Sequence, residues 1–182
     1  MPNYFFTADE HYDHAKINIY CDRPFRDVTE MNEHLIAQHN AKVTANDTTT
    51  HVGDFYLGRA EGVLKIISRL NGTHVFIPGS HDKWLERKTL LTQGLAITKP
   101  LLELKMFDPH IICCHYAMRV WAKSHFNSWH VYGHSHGKLP PEGKSWDVGV
   151  DNNAFAPVSY EELVEIMKNR PDNFNLVKER RY

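Results

Sequence analysis

Apolar residues in this chain come in short runs, and several of those runs stop at an Asp or a His. Tyr4-Phe5-Phe6-Thr7-Ala8 is apolar and aromatic, which predicts a buried strand, and it ends at Asp9-Glu10-His11. Thr48–Val52 is β-branched and predicts a second strand, closed by Gly53-Asp54. His74–Ile77 predicts a third, ending at Pro78-Gly79-Ser80-His81-Asp82. Leu102, Leu104 and Met106 alternate at period two, as in a half-buried strand. Asp108-Pro109 then turns the chain into a strand over His110–Cys114 that ends at His115. The run Trp129–Tyr132 leads into Gly133-His134-Ser135-His136, and Trp146–Val150 predicts a last strand before Asp151.

Helical spacing lies between the early runs. Thr29 is the expected N-cap of a helix over Glu30–Val43, with Met31, Leu35 and Ile36 facing inward. Val63, Leu64, Ile66, Ile67 and Leu70 keep the helical period, and Asn71-Gly72 supplies a stop. A short helix is expected over Trp84–Leu91. Near the end, Ser159 and Glu162 have capping-box spacing, and Leu163, Ile166 and Met167 make an apolar face, so a helix is expected over about 159–169. Arg23-Pro24-Phe25 reads as linker, Ser124–Ser128 and Lys138–Lys144 as loops, and the charged tail Lys178–Tyr182 as solvated. Strands alternate with helices in the first half and crowd the second. That pattern predicts one α/β layered domain over 1–182, with a mixed sheet or two stacked sheets and helices outside.

Composition narrows the partners. The chain has 182 residues and is 42% hydrophobic, enough for one real core. A formal net charge of -1 gives no overall attraction to nucleic acid or anionic membrane, so neither long duplex nucleic acid nor a membrane is an expected partner. No apolar stretch approaches the ~20 residues that span a bilayer. The first residues lack the basic segment and long apolar stretch of a signal peptide. The three cysteines, Cys21, Cys113 and Cys114, are odd in number and read as small hydrophobes in a reducing compartment. A cytoplasmic protein is expected.

The 13 histidines stand out more than the charge. Asp9 and His11 sit two apart beyond a strand, where alternate side chains share a face. His115 taken alone is as readily a core histidine as a ligand. His134 and His136 alternate behind Gly133, and two imidazoles there can face one ion with little steric cost. In layered α/β domains ligands gather beyond the carboxyl ends of strands. Five strand ends carrying Asp or His therefore predict one two-metal site.

Taken in order, Asp9-Glu10-His11, Gly53-Asp54, Gly79-Ser80-His81-Asp82, His115 and Gly133-His134-Ser135-His136 resemble the blocks of the calcineurin-like metallophosphoesterase family. The resemblance spans residues 4 to about 151. It is greatest to the small single-domain bacterial and phage phosphoesterases, through Arg23-Pro24-Phe25, Trp121 and Asp147–Asp151. It implies that family's fold, mixed sheets in a β-sandwich core flanked by helices. It implies one metal held by Asp9, His11, Asp54 and His136, and a second held by Asp54, His115 and His134. Two divalent transition metals are implied, Mn²⁺ first, with Fe, Zn or Ni as alternatives; the mixed oxygen and nitrogen set suits such ions better than Ca²⁺. The implied activity is phosphate-ester hydrolysis by a metal-bridging hydroxide, with His81 as general acid and Asp82 orienting its ring. A small nucleotide-type phosphodiester is the expected substrate and a phosphomonoester the alternative. His14, Arg23, Tyr116 and Arg119 are candidate substrate contacts, and the oligomeric state is left open.

One position departs from the family. Ser80 stands where the family has Asn, whose amide oxygen goes to the second metal. A Ser hydroxyl is shorter and a poorer ligand. This opens a reading of another class, a weakened metal-binding or protein-interaction scaffold, against which stand the retained His81 and the six ligand residues. Ser80→Asn is expected to tighten the second metal site when Mn²⁺ is titrated into metal-free protein. Equal second-site affinity in parent and variant would remove Ser80 as a determinant.

Overall fold

The computed structural model describes residues 2–86 and 95–177. In chain order the first elements are β1 (Tyr4–Thr7), α1 (Ile17–Tyr20), α2 (Val28–Lys42), β2 (Thr48–Val52), α3 (Ala60–Ile67), β3 (Thr73–Ile77) and α4 (Lys83–Glu86). Then come β4 (Ala96–Ile97), β5 (Leu101–Leu104), β6 (Ile111–Cys114), β7 (Trp129–Tyr132), β8 (Ser145–Asp147), β9 (Val158–Ser159) and α5 (Tyr160–Lys168). Short 3-10 turns cover Ser124–Phe126 and Val150–Asn152.

The strands form two mixed sheets. One has the order β4-β3-β2-β1-β9, the other β5-β6-β7-β8. In the first, β1 to β4 run parallel and β9 antiparallel. In the second, β6, β7 and β8 run parallel and β5 antiparallel. Period two sends alternate residues to opposite faces. Val52 and Ile77, paired in register, enter a core with Phe6, Ile111, Cys113, Val131, Leu163 and Met167, which joins the two sheets and α5. Phe76, one place earlier, turns to the other side and packs with Met31 and Leu35 of α2 and Val63 of α3. The chain is thus two mixed sheets with helices on the outside. Among the described residues no helix is long and apolar enough to cross a membrane.

Several boundaries differ from the sequence reading, each for a local reason. The cap of α2 is Asp27, not Thr29: Asp27 is extended at φ -151° and accepts from the Glu30 amide at 2.9 Å, which starts the helix at Val28. The stretch before Arg23, for which no element is expected, holds the single-turn α1, whose one buried residue, Ile17, leaves no periodic signal. Met106 is exposed because β5 ends at Leu104 and the chain turns before Pro109. β8 ends at Asp147 because its carboxylate folds back onto the Gly149 amide at 2.8 Å and begins the turn that contains Val150. The edge strands β4 and β9 are two residues long, too short for a period. The helix expected over Trp84–Leu91 is seen as α4, with residues 87–91 outside the described part. The tail 178–182 also lies outside it.

The capping box of α5 is formed as expected. Ser159 Oγ accepts from the Glu162 amide at 3.1 Å, and Glu162 Oε2 accepts from the Ser159 amide at 2.8 Å. Leu163, fully buried on this helix, fills the space between the sheets. Leu163→Ala is expected to lower unfolding stability by about 3 kcal/mol through cavity formation. Ser159→Ala should cost about 1 kcal/mol. Urea denaturation measures both, and a reversed order would mean that α5 contributes through its cap and not through its buried face.

Candidate metal centre

Parallel strands bring their carboxyl ends to one rim. The loops after β1 and β2 run on side by side, with Asp9 N donating to Gly53 O and His11 N to Asp54 O, each at 3.0 Å. Val150 N donates to Ala8 O and Val148 N to Tyr132 O, which stitches the two sheets together at that rim. The Gly133 amide donates to His115 O at 3.1 Å and joins the last two blocks.

The backbone at the rim is held in an unfavourable region. Asp9, His11, Asp54, His134 and His136 all have φ between 48° and 66°. For a residue with a Cβ this left-handed conformation costs on the order of 1 kcal/mol, and it clusters where function fixes geometry. Two glycines permit the close approach. A Cβ on Gly133 would lie 2.7 Å from Asp9 Oδ2, and one on Gly79 would lie 2.3 Å from the Asp54 amide.

Two groups of donor atoms result. In one, an atom each of Asp9, His11 and His136 lie within 4.8 Å of one another; in the other, the same holds for Asp54, His115 and His134. Asp54 Oδ2 stands between them, 3.7 Å from His11 Nε2 and 3.3 Å from His115 Nε2. All six residues expected as ligands are therefore brought together. Asp9 Oδ1, His11 Nε2 and His115 Nε2 are buried with no hydrogen-bond partner. Core histidines elsewhere behave differently. His51 bonds Glu10 and His74 through its two nitrogens, and His130 bonds Ile112 O and the Met118 amide. His74 Nε2 is also buried without a partner, but His74 belongs to none of the donor groups. Leaving a buried polar atom unpaired costs ~1–3 kcal/mol. Three such atoms converge at one rim, where a metal ion could satisfy them together. Carboxylate and imidazole donors in two adjoining groups fit a pair of divalent transition metals.

The imidazoles are oriented from behind. His115 Nδ1 lies 2.9 Å from Val52 O, and His136 Nδ1 lies 2.7 Å from Asp151 Oδ2. Each contact places the ring proton on Nδ1 and turns Nε2 toward the rim. Asp151 is in turn held by Arg23, whose Nε and Nη2 lie 2.7 Å from its two oxygens. Arg23 also donates to Asp9 O at 2.7 Å and Glu10 O at 3.0 Å. A third donor group, Cys21, His136 and Asp151, shares both its imidazole and this occupied carboxylate, so it is no separate site.

Two roles expected from sequence, those of Arg23 and Asp82, need correction. Arg23 is buried and spends its guanidinium on Asp151 and two carbonyls, so it braces the centre and does not meet substrate. Asp82 makes no bond to the His81 ring. Its carboxylate accepts from the amides of Asp54, Phe55, Tyr56 and Gly79 and from the Trp84 indole, which ties the second loop to the third. Arg119 pairs with Glu142 and lies over the Phe174 ring, and is not part of the donor groups. His14 and Tyr116 do stand at the rim. His14 Nδ1 is 3.3 Å from His11 Nδ1, and the Tyr116 ring, half exposed, lies 4.8 Å from that of His134. His81 is exposed, with Nε2 4.0 Å from Asp54 Oδ2 and its amide donating to Asp54 Oδ1 at 2.8 Å. Ser80 Oγ lies 3.0 Å from Asp54 Oδ2, so its hydroxyl meets that carboxylate.

The electrostatics favour a cation. Burial pushes the Asp9 carboxyl well above its usual range, and the charges of Asp147 and Asp54 push further in that direction. Burial works against Asp54 too, but the His115 imidazole and the His81 amide outweigh it and hold that carboxyl low. Burial lowers His11 and His134, leaving neutral rings in the form that binds metal. In His115 and His136 the neighbouring Asp54 and Asp151 carboxylates outweigh burial and raise the imidazole. A dication among these groups relieves the buried negative charge.

Asp151 follows the last strand, and nothing in its spacing marks it as the partner of His136 and Arg23. Unmarked too is the buried pair beneath the centre, where His51 Nδ1 meets Glu10 Oε1 at 2.5 Å. Glu10 sits between two candidate ligands and reads there as one more loop acid; only strand register shows what it faces.

No family model matches the chain. An uncharacterized protein of Methanocaldococcus jannaschii is similar, 29% identical over 177 residues, which cover 92% of this chain and 93% of that protein. A crystal structure of a protein of unknown function from Aquifex aeolicus superposes with a TM-score of 0.69 at 18% identity, covering 91% of this chain and all of the other. That likeness shows a shared fold.

Removing the Asp82 carboxylate strands four amides and an indole. Asp82→Ala is expected to lower stability by about 3 kcal/mol, read from the midpoint of thermal or urea unfolding. A change under 1 kcal/mol would mean that water replaces the carboxylate and that Asp82 does not tie the two loops.

Proposed function

We propose that this chain is a dinuclear-metal phosphoesterase with the calcineurin-like fold, acting on a small phosphodiester. One observation carries the reading: buried donor atoms of Asp9, His11 and His115 lack partners around the Asp54 carboxylate. Asp9, His11, Asp54 and His136 would hold one ion, and Asp54, His115 and His134 the other. When bound, two such ions supply an ionised water at neutral pH and Lewis-acid contacts to phosphoryl oxygens.

The remaining work belongs to the chain. Asp54 offers one carboxylate to both donor groups and offsets the repulsion between two dications. Arg23 and Asp151 keep His136 from rotating, and Val52 O does the same for His115. His81 is fixed by its backbone while its exposed ring stays free to give a proton to the leaving oxygen. Tyr116 and His14 border the place where a substrate would lie. Mn²⁺ is the first candidate metal. Ser80, bonded to Asp54, supports a looser second ion.

Protein loaded with Mn²⁺ is expected to hydrolyse bis-p-nitrophenyl phosphate and to carry about two metal equivalents, with Asp54→Ala losing both properties. His81→Ala should slow alkyl leaving groups by ~10²–10⁴-fold while p-nitrophenolate departs nearly as before. Parent protein that takes up no metal, or Asp54→Ala as active as the parent, would falsify the reading.

A further inference from the structure

A cleft of about 310 Å³ opens beside His81, lined by Tyr56, Leu57, Gly58, Arg59, Glu61, His81, Lys83 and Trp84. It adjoins the centre at His81, whose ring lines the cleft and reaches within 4.0 Å of Asp54. The cleft is firmly built. The buried Tyr56 hydroxyl lies 2.7 Å from Asp13 Oδ2 and 2.9 Å from Arg59 O, which pins the Arg59 backbone to the loop that carries His11. Gly58 and Gly62 leave room for that hydroxyl, since a Cβ on either would come within 2.3 Å of it. Trp84 is locked through its indole to Asp82.

Charge distinguishes the two ends. The end toward the centre carries His81. The walls carry Arg59 and Lys83, both exposed, against the single acid Glu61. Among the described residues neither Arg59 nor Lys83 forms an ion pair. The volume is at the low end of the ~300–1,000 Å³ of small-molecule pockets. It suits one ring system, not a peptide or a duplex.

We propose that this cleft is the leaving-group pocket of the centre, and that it selects an alcohol carrying a second anionic group. The inference rests on the phosphoesterase reading and extends it to the substrate. In the step concerned, a water that has given one proton to solvent bonds through its oxygen to phosphorus as the bond from phosphorus to the alcohol oxygen breaks. The alcohol oxygen keeps the electron pair and takes a proton from His81. The second anionic group meets Arg59 and Lys83, which places the leaving oxygen on the His81 side of the centre.

The test compares methyl phenyl phosphate with methyl 4-carboxyphenyl phosphate on Mn²⁺-loaded protein, since their phenolate leaving groups are of similar basicity. The carboxylated ester is expected to show about tenfold higher kcat/KM. The double variant Arg59→Gln, Lys83→Gln should bring the ratio to about one; both positions are exposed, so the fold is expected to tolerate it. A second measurement needs no turnover. The product 4-hydroxybenzoate, with phenol as reference, is titrated while the indole N–H signal of Trp84 is followed by NMR. A saturable shift with the carboxylate, lost in the double variant, supports the pocket. Turnover without preference, or a preference that survives in the double variant, overturns the pocket and leaves the phosphoesterase reading standing. No turnover of either ester, with binding intact, overturns the phosphoesterase reading and the leaving-group role together.

Discussion

Burying two carboxylates with no lysine or arginine to neutralise them is the constraint on which this structure turns. Asp9 and Asp54 are both almost wholly inaccessible, and no Lys or Arg side chain neutralises either carboxylate among the described residues. The one guanidinium that comes near, that of Arg23, is spent on Asp151 and on backbone carbonyls. Imidazoles with unpaired nitrogens surround the acids. Such a cluster opposes folding by itself, and its cost falls once a dication enters. The positive φ at five of the six donor residues adds strain of the same kind. Both sheets, with the core between them, supply the stability that holds these groups in place.

Much of this was legible in the sequence. Period two and β-branched runs located the long strands, and the Ser159–Glu162 spacing located the cap of α5, because those signals are local. The six donor residues were legible because each follows a strand, and parallel strands deliver their ends to one rim. Arg23 and Asp82 were placed in the right neighbourhood and given the wrong partners. Asp82 bonds mostly to backbone amides and Arg23 in part to backbone carbonyls, and backbone groups have no residue identity and leave no trace in spacing. The cap at Asp27 and the single-turn α1 were hidden because a neighbouring residue, or none, carried the usual signal. The cleft beside His81 depends on Tyr56 reaching across to Asp13, 43 positions away, and no local pattern encodes that meeting.

The likeness to the Aquifex aeolicus structure shows the fold shared over 91% of this chain. Fold alone does not fix chemistry. What argues for chemistry here is the contrast among buried histidines of one molecule. His51 and His130 satisfy both nitrogens, as core residues do, whereas His11 and His115 each hold one back.

The Arg23–Asp151 bridge ties together positions 128 residues apart. During synthesis the first loop emerges long before the segment that braces it, so Asp9 and His11 wait without their support until the far end arrives. A metal ion held at this rim would then enter after closure of the chain and would not seed it. A ribosome stalled midway would present an acidic, histidine-rich fragment with no defined coordination.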